Sequence, residues 1–111
     1  MIYEHRVYTV ELDKQASMIK TIEGFCKALE KQDVKALGVF HPVIGDASEL
    51  SYYLIYESMA HREQVWNSMY EDEDVLAWYK EAKERAEQEG GSGLLNEVNT
   101  LMTSTEYSSG K

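Results

Sequence analysis

Cysteine, proline and basic residues are all scarce in this chain of 111 residues. The single cysteine, Cys26, excludes an intrachain disulfide and offers no zinc-ligand spacing. Its neighbours Ile22, Phe25 and Leu29 recur at helical intervals, which favours a small buried side chain over a nucleophile. Lys and Arg number 11 against 20 Asp and Glu, so the net charge of −9 disfavours nucleic acid and anionic membrane surfaces as partners.

Long apolar runs and nucleotide-binding loops are also missing. No stretch approaches the roughly 20 apolar residues of a membrane span. The opening MIYEHRVYTV lacks the basic start and the apolar core of a signal peptide, so we expect a cytoplasmic protein. No P-loop, GxGxxG or GxSxG motif is present, and three histidines stand without ligand spacing. We therefore expect neither a metal site nor a cofactor.

The residues that are present predict one globular domain. The chain is 43 % hydrophobic and 28 % charged, and its eight tyrosines and two tryptophans can line a pocket or a partner surface. We expect the domain to span residues 1–103 and to be followed by a polar tail, residues 104–111.

Hydrophobic periodicity predicts an alternation of strands and helices. Strands are predicted at residues 2–10, 34–44, 50–56 and 94–102. Helices are predicted at 14–32, from the N-cap Ser58 through Met69 or Tyr70, and at 71–88. The order is β-α-β-β-α-β with the second helical region broken in two. It predicts an α+β, ferredoxin-like fold whose four-stranded antiparallel sheet has its helices on one face.

The first strand has no plainly apolar side. Alternation places Glu4, Arg6 and Tyr8 on one face and Tyr3, His5 and Val7 on the other. The Glu4 face is therefore either a solvated sheet surface or the lining of an enclosed polar space.

Several short segments of the chain form a specific pattern: Tyr3-Glu4-x-Arg6-x-Tyr8, Gly38-x-Phe40, Ile44-Gly45, Ser58-x-x-x-Arg62, and Asn99-Thr100-Leu101-Met102 with Tyr107-Ser108. In these segments, and over nearly its whole length, the chain resembles the NIPSNAP family, within the dimeric α+β barrel group. The resemblance implies a homodimer in which the bare sheet faces of two subunits close around a cavity. It also implies that the Glu4 face points into that space, which leaves His5 on the helix side.

Families on this plan include cofactor-free monooxygenases, polyketide cyclases, isomerases and haem-dependent dehydratases, so the fold does not fix the function. The sequence also departs from the family's usual pattern. Tyr52 and Leu54 stand where relatives typically carry histidine and tryptophan, and Val43 where glutamate is common. Val65 and Trp66 replace a common arginine pair. Activities that rest on those positions are not expected here.

The candidate catalytic residues are Glu4, Arg6 and Tyr8. In an enclosed cavity Glu4 can accept a proton, Arg6 can hold an anionic oxygen, and the Tyr8 hydroxyl can donate to a developing oxyanion. The competing interpretation is that Glu4 and Arg6 form a structural ion pair that fixes strand or dimer register.

The candidate substrate-binding residues are Tyr52, Tyr56, His41 and Trp66. The resemblance places the Tyr52 and Tyr56 face inward, whereas periodicity alone also allows the opposite face of that strand. His41 is expected at a rim, and Trp66 either packs on the sheet or covers a cavity mouth.

These observations lead to three hypotheses of function. The first is a homodimer that binds a small aromatic or polyketide-like molecule, with cofactor-independent isomerisation, cyclisation or dehydration if it is an enzyme. The second is a non-catalytic binding or scaffold dimer, and the third is a cofactor-free monooxygenase.

Overall fold

A computed structural model describes residues 1–105 of the chain. The elements are β1 (Ile2–Val10), α1 (Gln15–Leu29), β2 (Lys35–Phe40), β3 (Glu49–Tyr56), α2 (Met59–Ser68), α3 (Glu73–Gln88) and β4 (Leu94–Thr103). Tyr107, Ser108 and the predicted tail from residue 106 onward lie outside this part. Among the described residues, no helix is both long enough and apolar enough to span a membrane.

The four strands form one antiparallel sheet in the order β2-β3-β1-β4. This topology confirms the predicted α+β, ferredoxin-like fold, and it makes β1 a central strand that pairs with both β3 and β4. The predicted end of β2 at residue 44 was wrong, because the strand stops at Phe40. Pro42 follows that end and has no N–H to donate to a ladder.

Side-chain caps fix the starts of α2 and α3. The Ser58 hydroxyl accepts a hydrogen bond from the His61 N–H at 3.1 Å, as its position before the helix predicts. The Asp72 carboxylate accepts from the N–H groups of Asp74 and Val75, so α3 begins at Glu73 and not at residue 71. Between them, residues 69–72 form the break that the sequence predicts in the second helical region.

The core lies between the sheet and the helices, and the charged face of β1 belongs to it. Glu4, Arg6 and Tyr8 are buried together with residues of α1, α2 and α3. The expectation that this face is the bare side of the sheet was therefore wrong. The expectation that His5 lies on the helix side was wrong as well. His5 lies on the open face, where its ring stacks on Tyr53 at a centroid distance of 4.5 Å.

The open face and β4 remain without a helical cover. The alternate residues of β1 on the open face are only partly buried. Every residue of β4 is exposed, including the apolar Val98 and Met102. β4 thus extends the sheet beyond the helices and leaves one side of the helix-covered space open.

Candidate functional site

Arg6 is the centre of a buried polar network. Its Nε donates to the Tyr52 hydroxyl at 2.8 Å, and its Nη1 donates to Oε2 of Glu4 at 2.5 Å. Its Nη2 donates to the Tyr8 hydroxyl at 3.2 Å and to Oε2 of Glu97 at 2.9 Å. Three strands thus supply the partners of one guanidinium, which is only 7 % exposed.

Glu4 is fully buried and is held by three donors. Besides Arg6, the Tyr56 hydroxyl and the Arg62 Nε each donate to Oε1 at 3.0 Å. Burial acts to raise the pKa of Glu4, but the hydrogen bond from Arg62 and the charge of Arg6 outweigh it, so the pKa lies below its ordinary value. Glu4 is therefore an ionised carboxylate and a weak proton acceptor.

Tyr8 and Tyr52 form a hydroxyl pair beside Arg6. Their oxygens lie 2.8 Å apart, and their rings meet edge to face at a centroid distance of 5.5 Å. Burial raises the pKa of Tyr52 well above its ordinary value, so this phenol stays neutral. Burial likewise raises the pKa of Tyr56, whose hydroxyl accepts from the Trp66 Nε1 at 3.0 Å.

The formal charges of this network cancel. The cations Arg6 and Arg62 face the carboxylates of Glu4 and Glu97. The Arg62 and Glu97 side chains are 27 % and 33 % exposed, whereas that of Glu4 is not exposed at all. The buried pair Glu4 and Arg6 therefore lies at the centre of the network, and each of them has a partly exposed partner of opposite charge. Such pairing is what buried charges require.

A cavity of about 790 Å³ lies over this network, between the sheet and the helices. Arg6, Tyr8, Tyr52 and Glu97 supply its polar end. Its walls are mostly apolar and aromatic: Met18, Ile22, Phe25, Trp66, Met69, Val75 and Trp78. Tyr70, Leu76, Tyr79 and Leu94 are exposed and line it near solvent. The volume is within the range of about 300 to 1,000 Å³ that small-molecule sites occupy.

The structure brings some of the sequence-predicted site residues into the cavity and leaves others out. Arg6, Tyr8, Tyr52 and Trp66 line it. Tyr52 and Tyr56 share the face of Glu4, but Tyr56 and Glu4 are not part of the lining. His41 is exposed beyond the end of β2 and also lies outside the lining.

Sequence reasoning missed Glu97. Its signal was the pairing of β1 with β4, which sets Glu97 directly opposite Tyr8 on the same face of the sheet. A ferredoxin-like order places the last strand beside the first, so the only acidic residue of the predicted last strand was a candidate partner for Arg6.

The NIPSNAP family model matches residues 3–108, which is nearly the whole chain. The chain belongs to the NIPSNAP family. The opening segment Tyr3-Glu4-x-Arg6-x-Tyr8, which lies within the matched residues, supplies the central ion pair and one phenol of the site. A search of curated proteins finds no match to this NIPSNAP chain.

Solved structures of NIPSNAP proteins share the fold. Protein Atu4242 from Agrobacterium tumefaciens has a TM-score of 0.75 at 17 % identity, and the match covers 98 % of both chains. A second NIPSNAP protein from that organism, ATU5224, has a TM-score of 0.73 at 18 % identity, covering 99 % of this chain and 98 % of its own. A NIPSNAP domain protein from Burkholderia xenovorans gives 0.72 at 14 %, covering 96 % and 97 %. At these identities the likeness concerns the fold.

Proposed function

We propose that this NIPSNAP protein binds a small, largely aromatic molecule in the cavity between its sheet and its helices. The observation that carries the proposal is a space of about 790 Å³ with mainly apolar and aromatic walls and a few polar groups at one end. Such a combination gives a ligand affinity through its apolar body and orientation through its polar atoms. An oxygen of the ligand is placed beside Tyr8, Tyr52 and Arg6.

The polar end is suited to stabilising negative charge on that oxygen. Tyr52 is a neutral phenol, and the pKa of Arg6 is raised above its already high ordinary value despite burial, because the Tyr52 and Tyr8 oxygens and Glu4 favour its charge. Donors fixed before a ligand arrives are effective at holding an enolate or oxyanion. If the protein is an enzyme, proton transfer would use this donor set, with Glu4 holding Arg6 in place instead of acting as the base.

The test uses Prodan, a neutral naphthalene dye with one ketone oxygen and an emission that shifts in apolar surroundings. We expect saturable binding at one site per chain, together with quenching of Trp66 and Trp78, the chain's two tryptophans, both of which line the cavity. Leu76→Trp adds bulk where the cavity meets solvent and should weaken binding about tenfold, as a clash of one ring in a pocket does.

Leu12→Trp is the matched control, because Leu12 is exposed and does not contribute to the cavity. It should bind Prodan as the parent does. Equal affinity in the Leu76 and Leu12 variants, or no saturable binding to the parent, would refute the proposed site.

We further propose that the protein is a homodimer whose subunits meet through the open sheet face. Support comes from the apolar side chains on that face, which no part of the described chain covers: Leu37 and Val98 are each 53 % exposed and Met102 is 37 % exposed. A sheet with a bare apolar face normally buries it against another layer.

Sedimentation equilibrium tests the dimer. Val98→Lys places a charge midway along the edge strand β4, on the open face, and should weaken association at least about tenfold. Leu12→Lys makes the same kind of change at an exposed apolar residue outside the sheet. A Val98→Lys protein that associates as strongly as the Leu12→Lys protein would place the interface elsewhere.

A further inference from the structure

We infer that the molecule bound in this cavity is an organic acid, whose carboxylate takes the place of Glu97 on Arg6. The inference rests on the proposed function and adds the chemical class of the ligand. Three observations support it. Arg6 binds Glu4 more firmly than Glu97, a buried positive charge remains if Glu97 turns away, and one phenol hydroxyl beside Arg6 has a hydrogen left to donate.

Glu97 is the replaceable partner of Arg6. Its side chain is 33 % exposed and lies on β4, the strand that no helix covers, whereas Glu4 has no exposed surface and three donors. Within residues 1–105, Glu97 accepts only from the Arg6 Nη2 at 2.9 Å and the Asn99 Nδ2 at 2.8 Å, both on the same oxygen. Rotation of this side chain into solvent breaks these two hydrogen bonds, whereas movement of Glu4 would break three inside the core.

The charge of the site determines which kind of ligand can replace Glu97 on Arg6. With Glu97 turned away, Glu4 is the one carboxylate of the described residues that pairs with Arg6 and Arg62, which leaves one positive charge at a guanidinium that is 7 % exposed. A buried charge without a partner is costly, and one carboxylate restores neutrality. A neutral ligand has no such effect, so it would leave Glu97 in place.

A phenol hydrogen gives the second contact. Tyr8 and Tyr52 each accept a hydrogen bond from Arg6, and one of the two hydroxyls donates to the other. The hydrogen of the remaining hydroxyl has no acceptor among the hydrogen bonds of the described residues. Tyr8 is the more exposed of the two, at 9 % against 1 %, and both line the cavity. A carboxylate on Arg6 Nη2 can therefore use its second oxygen to accept from Tyr8.

The alternative role for Glu97 is to stay in place and accept a hydrogen bond or a proton from the ligand. The two roles predict opposite effects of neutralising this residue. Displacement predicts that acids bind more tightly once the competing carboxylate is gone, whereas direct contact predicts weaker binding of the ligand.

The experiment measures the displacement of Prodan by 2-naphthoate and by its neutral analogue 2-naphthamide. In Glu97→Gln we expect 2-naphthoate to bind about tenfold more tightly, a change typical of one charge-assisted hydrogen bond, with 2-naphthamide unchanged. Glu84→Gln removes an equal charge from an exposed residue of α3 and should change neither ligand. Tyr8→Phe should weaken 2-naphthoate several-fold.

An unchanged or weakened affinity of Glu97→Gln for 2-naphthoate, while Prodan still binds, overturns the acid class and leaves the proposed cavity standing. Failure of Prodan to bind the parent overturns both. Because Glu97 lies on an exposed strand, we expect Glu97→Gln to fold, and its circular dichroism should match that of the parent.

Discussion

The Nη1 atom of Arg6 lies 2.5 Å from Oε2 of Glu4, two residues away on the same strand and beneath the helices of the domain. Two opposite charges at this distance, both taken from water, form a unit in which each needs the other. The pair is the fixed part of the site, and the phenols and Glu97 are arranged around it.

Glu4→Gln should lower the free energy of unfolding by about 3 to 5 kcal/mol, because Arg6 and Arg62 then lose their shared buried carboxylate. Urea unfolding followed by circular dichroism measures the change. Glu84→Gln is the control and should lie within about 0.5 kcal/mol of the parent, as exposed substitutions do. A loss below about 1 kcal/mol for Glu4→Gln would show that the pair adds little to stability.

The same carboxyl should make stability depend on pH. The pKa of Glu4 is lower in the folded state than the unfolded value of about 4.3, so the unfolded chain binds more protons in this range. Its contribution is complete above the unfolded pKa and is lost as the pH falls through the folded pKa. The stability difference between the parent and Glu4→Gln should thus shrink from pH 6 toward pH 3, as urea titrations at each pH would show. A difference that stays constant would contradict the lowered pKa.

Tyr52→Phe should lower the free energy of unfolding by about 1 to 2 kcal/mol, since the Arg6 Nε loses its acceptor and Tyr8 loses its hydroxyl partner. Combination with Tyr8→Phe should cost less than the sum of the two single changes, because they break the same hydrogen bond. Tyr53→Phe, on the open face, is the control. Strict additivity of the Tyr8 and Tyr52 changes would mean that the hydroxyls are not coupled.

Gly24→Ala should destabilise the protein, although alanine is normally favoured over glycine inside a helix by about 1 kcal/mol. The reason is space: an added Cβ would lie 2.9 Å from Cδ1 of Trp78. In a Trp78→Ala background the same change should become stabilising. Thermal unfolding of the parent, the two single variants and the double variant measures both effects of the alanine. A Gly24→Ala protein more stable than the parent would show that Trp78 moves aside freely.

Cys26 should react slowly with Ellman's reagent in the folded protein. Burial raises the pKa of its thiol to about 11, so at pH 8 the thiolate is roughly two orders of magnitude scarcer than for an ordinary thiol. Absorbance of the released thionitrobenzoate should rise rapidly only after guanidinium chloride is added. Equal rates in the two conditions would show that the thiol is exposed and ionised.

Most elements could be predicted from local sequence, because the apolar periodicity of α1 and the β-branched and aromatic run of β1 are strong local signals. The orientation of β1 could not. The family resemblance implied that Glu4 and Arg6 lie on the bare side of the sheet, whereas the structure buries them beneath the helices. Their burial is tolerated because Arg62 and Tyr56, more than fifty residues away from Glu4, complete the network, and such distant pairings leave no periodic trace.

The polar end of the site could be predicted from the sequence only in part. Arg6, Tyr8 and Tyr52 stood out because they share strand faces, and the NIPSNAP resemblance pointed to them. Glu97 lies on a strand whose pattern, LLNEVNTLM, shows no clear inner face, and the structure explains why: neither side of β4 is covered.

The central place of β1 in the sheet has a consequence for synthesis of the protein. Its hydrogen-bonding partners are β3 and β4, and the second of these begins only at Leu94. As the chain leaves the ribosome, one edge of β1 stays unpaired, and Arg6 lacks Glu97, until nearly the whole domain has emerged. The native sheet is therefore completed late, and during translation the exposed edge of β1 is where premature pairing with another nascent chain would begin.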